Sequence, residues 1–350
     1  MGDGTTWHAE SYIVGVNSTG TIASGGDPRY IAAQPAYSGV VTLIMEYPGG
    51  AFICSGSLLP DRKSILTAAH CVSSGPDSPR PLRTTVYFPN ANADGVPYAF
   101  DTDRTASRTV TVYNVNRAYT GEVIDQNDIA VLQMDSEAPA SATAYDLYTA
   151  SDIEGGVFNV AGYGGRSNAG GTVGANLGTG RLRQGQNRYD FRFGDSDFGG
   201  FFTDRDAAGE NFFGTAEVEY SYVSDFDSGF AVNDQSCRLA VGGFGIADPK
   251  YCDLGTGLDE VSVAGGDSGG PQFIGGKLAS VTSYGLTFGP AFGDYDARLN
   301  SSFGELNGFV PVYIHAKFID ATMVPEPATF GLMGAGLAVL GLVARRRRSA

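Results

Sequence analysis

Histidine is scarce in this chain: three residues, His8, His70 and His315, in a length of 350. Cysteine is sparse as well, with four at positions 54, 71, 237 and 252, and no C-x-x-C pair occurs. That argues against a zinc ribbon or a thioredoxin-like redox site. Charge is scant too, at 17% of residues against roughly 25% in an average soluble protein. The balance is −15, from 23 basic and 38 acidic residues; without the run Arg345–Arg348 it is 19 − 38 = −19. A body this acidic repels phosphate backbones, which argues against nucleic acid as a partner. The opening Met1-Gly2-Asp3-Gly4 lacks the basic and apolar regions of a signal peptide. The expectation is that the true start lies upstream or that the protein is not exported.

Glycine is what the chain has in excess: 50 of 350 residues, about twice the usual share of roughly 7%. With 16 prolines the sum is 66 of 350, and 42% of residues are hydrophobic. Collagen and wholesale disorder are therefore excluded, and the length allows one large or two ordinary domains. The even cysteine count fits disulfides in an exported protein, equally fits chance in a cytosolic one, and leaves three connectivities open.

Short β-type runs punctuated by turn residues recur along the chain. Val40–Met45 and Ala51–Cys54 flank Pro48-Gly49-Gly50 and read as a hairpin. Others are Thr109–Val115, Ile129–Met134, Val157–Gly162, Leu278–Tyr284 and Phe309–Tyr313. The pattern predicts an all-β sandwich or barrel. Val310, Ile314 and Phe318, at i, i+4 and i+8 with Pro311 in the first turn, predict a helix over 311–321. Residues 139–147 read as a linker between two β halves. Residues 165–236 differ in texture, with acidic clusters at 195–197 and 225–227. Such clusters can bind calcium, but their spacing fits no EF-hand loop, so solvated loops are the preferred reading, with calcium binding left open and no metal assigned.

The C-terminal end argues for export. Ala328–Ala344 is 17 residues without a charge, followed at once by Arg345–Arg348 and preceded by Pro325-Glu326-Pro327. As a helix it spans about 25 Å, near the minimum for a bilayer core, and the arginines favour the cytoplasmic side. A buried C-terminal helix is the competing reading; four arginines without acidic partners count against it. The order Pro-Glu-Pro, apolar span, arginine cluster resembles a PEP-CTERM sorting signal. The resemblance implies an exosortase-type partner that cuts near Pro325-Glu326-Pro327. It also implies transient anchoring at the inner membrane by a transmembrane sorting helix, then residence in the envelope or outside the cell.

Three short motifs carry chemistry when taken together: Thr67-Ala68-Ala69-His70-Cys71, Asn127-Asp128-Ile129-Ala130, and Gly265-Gly266-Asp267-Ser268-Gly269-Gly270-Pro271. Alone, each has an ordinary reading: a structural histidine, a turn into a strand, a glycine turn. A serine hydroxyl needs a neighbouring base to become a nucleophile. Histidine serves near neutral pH, and a buried carboxylate orients it. Glycines before the serine let backbone N–H groups converge on a developing oxyanion.

The order His, Asp, Ser resembles the chymotrypsin-like (trypsin family) serine proteases. So do Cys54–Leu59 with Ile65–Cys71, the segment Val160-Ala161-Gly162-Tyr163-Gly164, and Ser283-Tyr284-Gly285. The resemblance covers about 38–322. It implies an all-β double six-stranded barrel with a C-terminal helix, the barrels at about 38–138 and 148–310, an insert at 165–236, an N-terminal segment 1–37 like a propeptide, and a sorting tail 323–350. It implies a secreted serine endopeptidase, monomeric, acting on protein or peptide substrates through an acyl-enzyme with no cofactor. His70 would be the general base, Asp128 its orienter and Ser268 the nucleophile, with Gly266 and Ser268 forming the oxyanion hole. The implied disulfides are Cys54–Cys71 and Cys237–Cys252. Ser262 would floor the specificity pocket, with Ser283, Tyr284, Gly285 and Gly293 as walls. That is a neutral slot for Phe, Tyr or Leu unless Asp294 turns inward. A new terminus at Ile13, or else Ile31, would insert beside Asp267; a plain strand at Ile13-Val14 is the competing reading. Two departures stand out: Ala264 replaces a frequent pocket cysteine, and Tyr284 replaces the commoner tryptophan. The rival readings are a catalytically silent binding protein on this fold and a highly restricted envelope protease.

Overall fold

The computed structural model describes residues 13–89 and 106–323. Its strands are β1 (Val14–Gly15), β2 (Val40–Tyr47), β3 (Gly50–Leu58), β4 (Ser64–Thr67), β5 (Arg83–Phe88), β6 (Ala106–Val115), β7 (Ala130–Met134), β8 (Val157–Gly162), β9 (Arg183–Arg188), β10 (Phe191–Arg192), β11 (Tyr222–Asp225), β12 (Val261–Ser262), β13 (Pro271–Ile274), β14 (Lys277–Leu286) and β15 (Leu306–Pro311). Two short α-helices, α1 (Gln235–Cys237) and α2 (Ala316–Thr322), a π-helical turn at Arg238–Gly243 and eight short 3₁₀ turns complete the described elements.

The expected hairpin forms with Tyr47 opposite Gly50, so Pro48-Gly49 is its two-residue turn. Strands β2 to β7 close into a six-stranded barrel in the order β2-β3-β4-β7-β6-β5. Val41, Leu43 and Met45 alternate along β2 into the barrel core with Leu58, Ile65, Val86 and Leu132, as the two-residue side-chain period requires. A second core lies between the two β halves. Val40, Leu66 and Val131 from the barrel meet Tyr163, Phe273, Val281 and Val310 there.

The second half departs from the expected closed barrel. It is a curled seven-stranded sheet, β10-β11-β15-β14-β13-β8-β9. β12 does not join it; it pairs with β1 as a separate two-stranded ribbon. β9 meets the residue before β12 only through the bridge Gln186↔Glu260, so the ring is left open. The predicted helix over 311–321 forms, with a later start. Val310 pairs with Val281, and Pro311 closes β15. The helix starts two residues later, as a 3₁₀ turn over Tyr313–His315 that runs into α2, because sheet pairing outweighs the local helical spacing at its first turn.

Residues 165–236 contribute β9, β10 and β11 to the sheet. Their phenylalanines join Leu286, Phe288 and Leu306 in a third core, in which Phe193 contacts Phe202 and Phe213 at ring distances of 4.9 and 4.6 Å. Such pairs add roughly 0.5–1.5 kcal/mol beyond area burial. The acidic cluster at 225–227 is not solvated, because Asp225 and Asp227 are buried, whereas Asp197 in the cluster at 195–197 is exposed. No helix among the described residues is long and apolar enough to cross a membrane. The sorting residues Pro325, Glu326 and Pro327 and the apolar span after them lie outside the described residues.

Candidate active site

The barrel delivers a histidine and a carboxylate to one point. β4 runs into the turn Ala69–Cys71, which holds His70. The disulfide Cys54–Cys71 ties that turn to β3. Asp128 stands two residues before β7, and its side chain is 1% exposed. One carboxylate oxygen accepts the His70 backbone N–H at 2.8 Å, and the other faces ring Nδ1 at 2.7 Å. Ser283 Oγ donates to that second oxygen at 2.5 Å. Burial opposes charging of the His70 ring, but the Asp128 charge and hydrogen bond favour it, and the net effect raises its pKa above 6.5. With Nδ1 committed to Asp128, Nε2 is the free ring nitrogen.

The loop carrying Asp128 is braced from both sides. Asp125 accepts N–H groups from Thr120 and Asn127, each at 2.8 Å. His315 Nε2 pairs with the Gln126 carbonyl at 2.8 Å. Burial lowers the His315 pKa, and because a carbonyl only accepts, Nε2 is the donor there. Sequence reasoning gave this histidine no role; the link spans 189 positions and leaves no local signal.

Ser268 lies in the loop between β12 and β13, and its carbonyl accepts the Ser55 N–H at 2.8 Å. A Cβ on Gly269 would meet Thr67 Oγ1 at 1.9 Å, and its φ of +78° is in the left-handed region, so only glycine fits. Ser268 and His70 both border one pocket of about 500 Å³ whose walls include Met45, Tyr47 and Phe52. No hydrogen bond joins the Ser268 hydroxyl to the ring here; apo sites often close that bond only on substrate. Among the described residues, no group accepts from the N–H of Gly266 or of Ser268. His70 also borders a second pocket of about 260 Å³, with Ser283 and Tyr284 on its wall. The ring therefore sits between two grooves.

Residues 23–190, which hold His70 and Asp128, match the trypsin family model. The chain carries a trypsin-family domain. Trypsin delta of Drosophila erecta is 24% identical over 283 residues, covering 78% of this chain and 85% of that protein. Trypsin alpha-4 of Lucilia cuprina is 26% identical over 268 residues, covering 73% and 79%. Residues 324–348 match the PEP-CTERM protein-sorting motif, which indicates export and cell-surface sorting.

The trypsin-family domain distributes the expected pocket residues unevenly. Ser262 is buried in β12, and its hydroxyl donates to Asn307 Oδ1 at 2.7 Å. The β14–β15 register puts Asn307 opposite Gly285, so Asn307 belongs beside Ser262 and was missed; the two are 45 positions apart. Ser283 is engaged by Asp128, and the Tyr284 hydroxyl is within 2.7 Å of Ser221 Oγ. Gly293 follows the turn Pro290–Phe292, where its carbonyl accepts Asn233 Nδ2 at 2.7 Å. The Asp294 carboxylate accepts the Thr287 hydroxyl at 2.7 Å and two backbone N–H groups at 3.1 Å.

Asp267 is fully buried. Its oxygens accept the N–H groups of Gly164 and Ala264, each at 2.8 Å. A Cβ on Gly164 would lie 2.2 Å from that carboxylate, which is the physical reason for glycine after Tyr163. Burial raises the Asp267 pKa well above its usual value. β1 pairs with β12 in the register Val14↔Ser262, and Ile13 packs in one core with Val263 and Ala264. Ile31 instead bridges Arg183. The second disulfide is Cys237–Cys252.

Proposed function

We propose that this chain is an exported serine endopeptidase whose triad is His70, Asp128 and Ser268. The observation that carries the reading is the buried Asp128 carboxylate, bound to both the backbone and the ring of His70, beside the pocket that Ser268 shares. Ser268 Oγ attacks the scissile carbonyl carbon while His70 Nε2 takes its proton. The oxyanion is received by the free N–H groups of Gly266 and Ser268. His70 then protonates the leaving amine, and water repeats the sequence to release the acid. The chemistry needs no cofactor. Covalent labelling by a fluorophosphonate probe tests this reading; a chain that resists labelling is the catalytically silent binding protein instead.

A restricted protease is favoured over a general one by a specific contact. The Gln126 N–H donates to the Glu217 carbonyl at 2.8 Å, and the Tyr220 N–H to Gln126 Oε1 at 2.8 Å. Residues from 165–236 thus pack on the loop before Asp128, whose Val123 borders the groove beside His70. Probe labelling without casein hydrolysis is the expected result.

Specificity is proposed to be for Phe, Tyr or Leu before the cleaved bond. Ser262 and Asn307 make a neutral floor, and Asp294 is saturated by Thr287 and backbone donors. Burying a large apolar side chain is worth roughly 1.5–3 kcal/mol, or about 10- to 100-fold in kcat/KM over Arg or Lys. A peptide panel varied at that position measures this ratio. In Asp294→Ala the ratio is expected to hold; preference for Arg or Lys refutes the neutral floor.

Ile13 is proposed as the mature N-terminus over Ile31 because it packs with Ala264, whose N–H Asp267 accepts; the plain strand of the competing reading also forms, as β1. Exosortase-type processing is proposed near Pro325-Glu326-Pro327. Mass spectrometry of the protein from its native host should give a species starting at Ile13 and ending close to Pro325. Active enzyme that begins elsewhere refutes the first assignment, and a mature form retaining 328–350 refutes the second.

A further inference from the structure

Five carboxylates are buried behind Ser262. Asp190, Asp225, Asp227, Asp234 and Glu260 are each at most 3% exposed. One oxygen from each of Asp225, Asp227 and Glu260 lies within 4.8 Å of the others. Much of the cluster is satisfied by nearby donors. Asp225 accepts the Ser236 N–H at 2.9 Å, Asp190 the Asp225 N–H at 2.7 Å, and Asp234 the Cys237 N–H at 2.8 Å. Glu260 accepts the Asp227 N–H at 2.8 Å and, through its other oxygen, the Thr256 N–H. Asp227 Oδ1 is different: it is buried and has no partner.

No lysine or arginine among the described residues pairs with any of the five. The nearby cations are spent elsewhere, Arg188 on Asp253 at 3.1 Å and Lys250 on Asp195 at 2.7 Å. A buried carboxylate oxygen without a donor, beside two more carboxylates, is stable only if it is protonated or meets a cation. Burial and the neighbouring carboxylates raise the pKa of Asp227 and of Glu260, which is the cost of leaving the cluster without a counter-charge.

We propose that Asp225, Asp227 and Glu260 form a Ca²⁺ site that clamps the end of β11 to the turn before β12. The triad of ligands is all hard oxygen, with neither imidazole nor thiolate, which suits Ca²⁺ rather than a transition metal. Oxygens on opposite sides of one Ca²⁺ stand roughly 4.6–5.2 Å apart, twice a bond of about 2.3–2.6 Å; on Mg²⁺ the span is about 4.2 Å. The site would act on the specificity strand directly. Glu260 immediately precedes β12, its carbonyl accepts the Val16 N–H at 3.2 Å, and β12 pairs with β1 through Val14↔Ser262. The proposal holds whether or not the chain is a peptidase.

A second acidic group, Asp294, Asp296 and Glu305, supplies the control. Asp294 is saturated as described, and both Glu305 oxygens accept backbone N–H groups of residues 300–302 at 2.8–3.0 Å. The test is thermal unfolding of the full chain in EDTA and in CaCl₂ or MgCl₂, with bound Ca²⁺ counted by equilibrium dialysis. One tightly held Ca²⁺ and a Tm rise of about 4 °C at a hundredfold excess over Kd are expected. Asp227→Asn should lose both, yet melt above the wild type in EDTA, because one buried charge is gone. Asp296→Asn should keep both. Should Asp227→Asn fail to fold, Glu260→Gln carries the same comparison. The proposal is overturned if Ca²⁺ neither binds nor raises Tm, if Mg²⁺ does as well, if Asp227→Asn or Glu260→Gln binds like wild type, or if Asp296→Asn abolishes binding.

Discussion

Ser268→Ala loses covalent labelling by fluorophosphonates and drops kcat by roughly 10⁴- to 10⁶-fold, with the fold retained. The hydroxyl is the only atom removed. The Ser268 backbone is held independently of it, by the Ser55 N–H on its carbonyl at 2.8 Å and by the close approach of Gly269 to Thr67. His70→Ala costs nearly as much, because members of such a unit act together and their losses do not add. Binding contacts and the N–H groups of Gly266 and Ser268 remain in both variants, so a small residual rate over water is expected. Near-UV circular dichroism establishes the fold, and single-turnover kinetics on the best peptide of the panel measures the loss. Turnover retained in Ser268→Ala refutes the assignment.

Asp128→Asn lowers kcat/KM by about 10⁴-fold near neutral pH and moves the acid limb of its pH profile downward. The sign follows from the site. Burial disfavours the His70 imidazolium, and the Asp128 carboxylate more than offsets this, leaving the ring above 6.5. The base must be neutral to take the Ser268 proton, so wild-type activity falls as pH drops through that raised value. An amide keeps the shape but removes the charge, so burial alone then acts on the ring and protonation needs a lower pH. The amide also turns an N–H₂ toward groups that already donate, either the His70 N–H on one side or the His70 Nδ1–H and the Ser283 hydroxyl on the other. The ring is then driven to the wrong tautomer or turned away. A residual rate with an unchanged acid limb would mean that Asp128 does not set the charge of His70.

The local signals were good guides wherever contiguous residues do the work. The hairpin at Pro48-Gly49 was legible because the turn chemistry and both flanking alternations are local. Gly162-Tyr163-Gly164 was legible as a motif, although its reason, the Asp267 carboxylate 103 positions away from Gly164, was not. The start of the helix over 311–321 was set too early because Val310 has a strand partner in Val281 that no local period reports. The second barrel was expected to close, but whether it does depends on where β12 pairs, and β12 chose β1.

What the sequence by itself determined is the trypsin-family character of the domain, the sorting motif at its end, and the residue types able to do acyl transfer. Each is carried by a short contiguous run whose spacing is set by the covalent chain. The tertiary structure alone decided what surrounds them. It bound Ser283 to Asp128 across 155 positions, set Asn307 on Ser262, and gave His315 to the Gln126 carbonyl. It also turned the acidic run at 225–227, which reads as solvent-facing, into the interior beside Glu260. Burial is a property of strand register between distant segments. A carboxylate two residues along a strand changes from solvated to desolvated according to which partner covers it, and that choice is made by the whole fold.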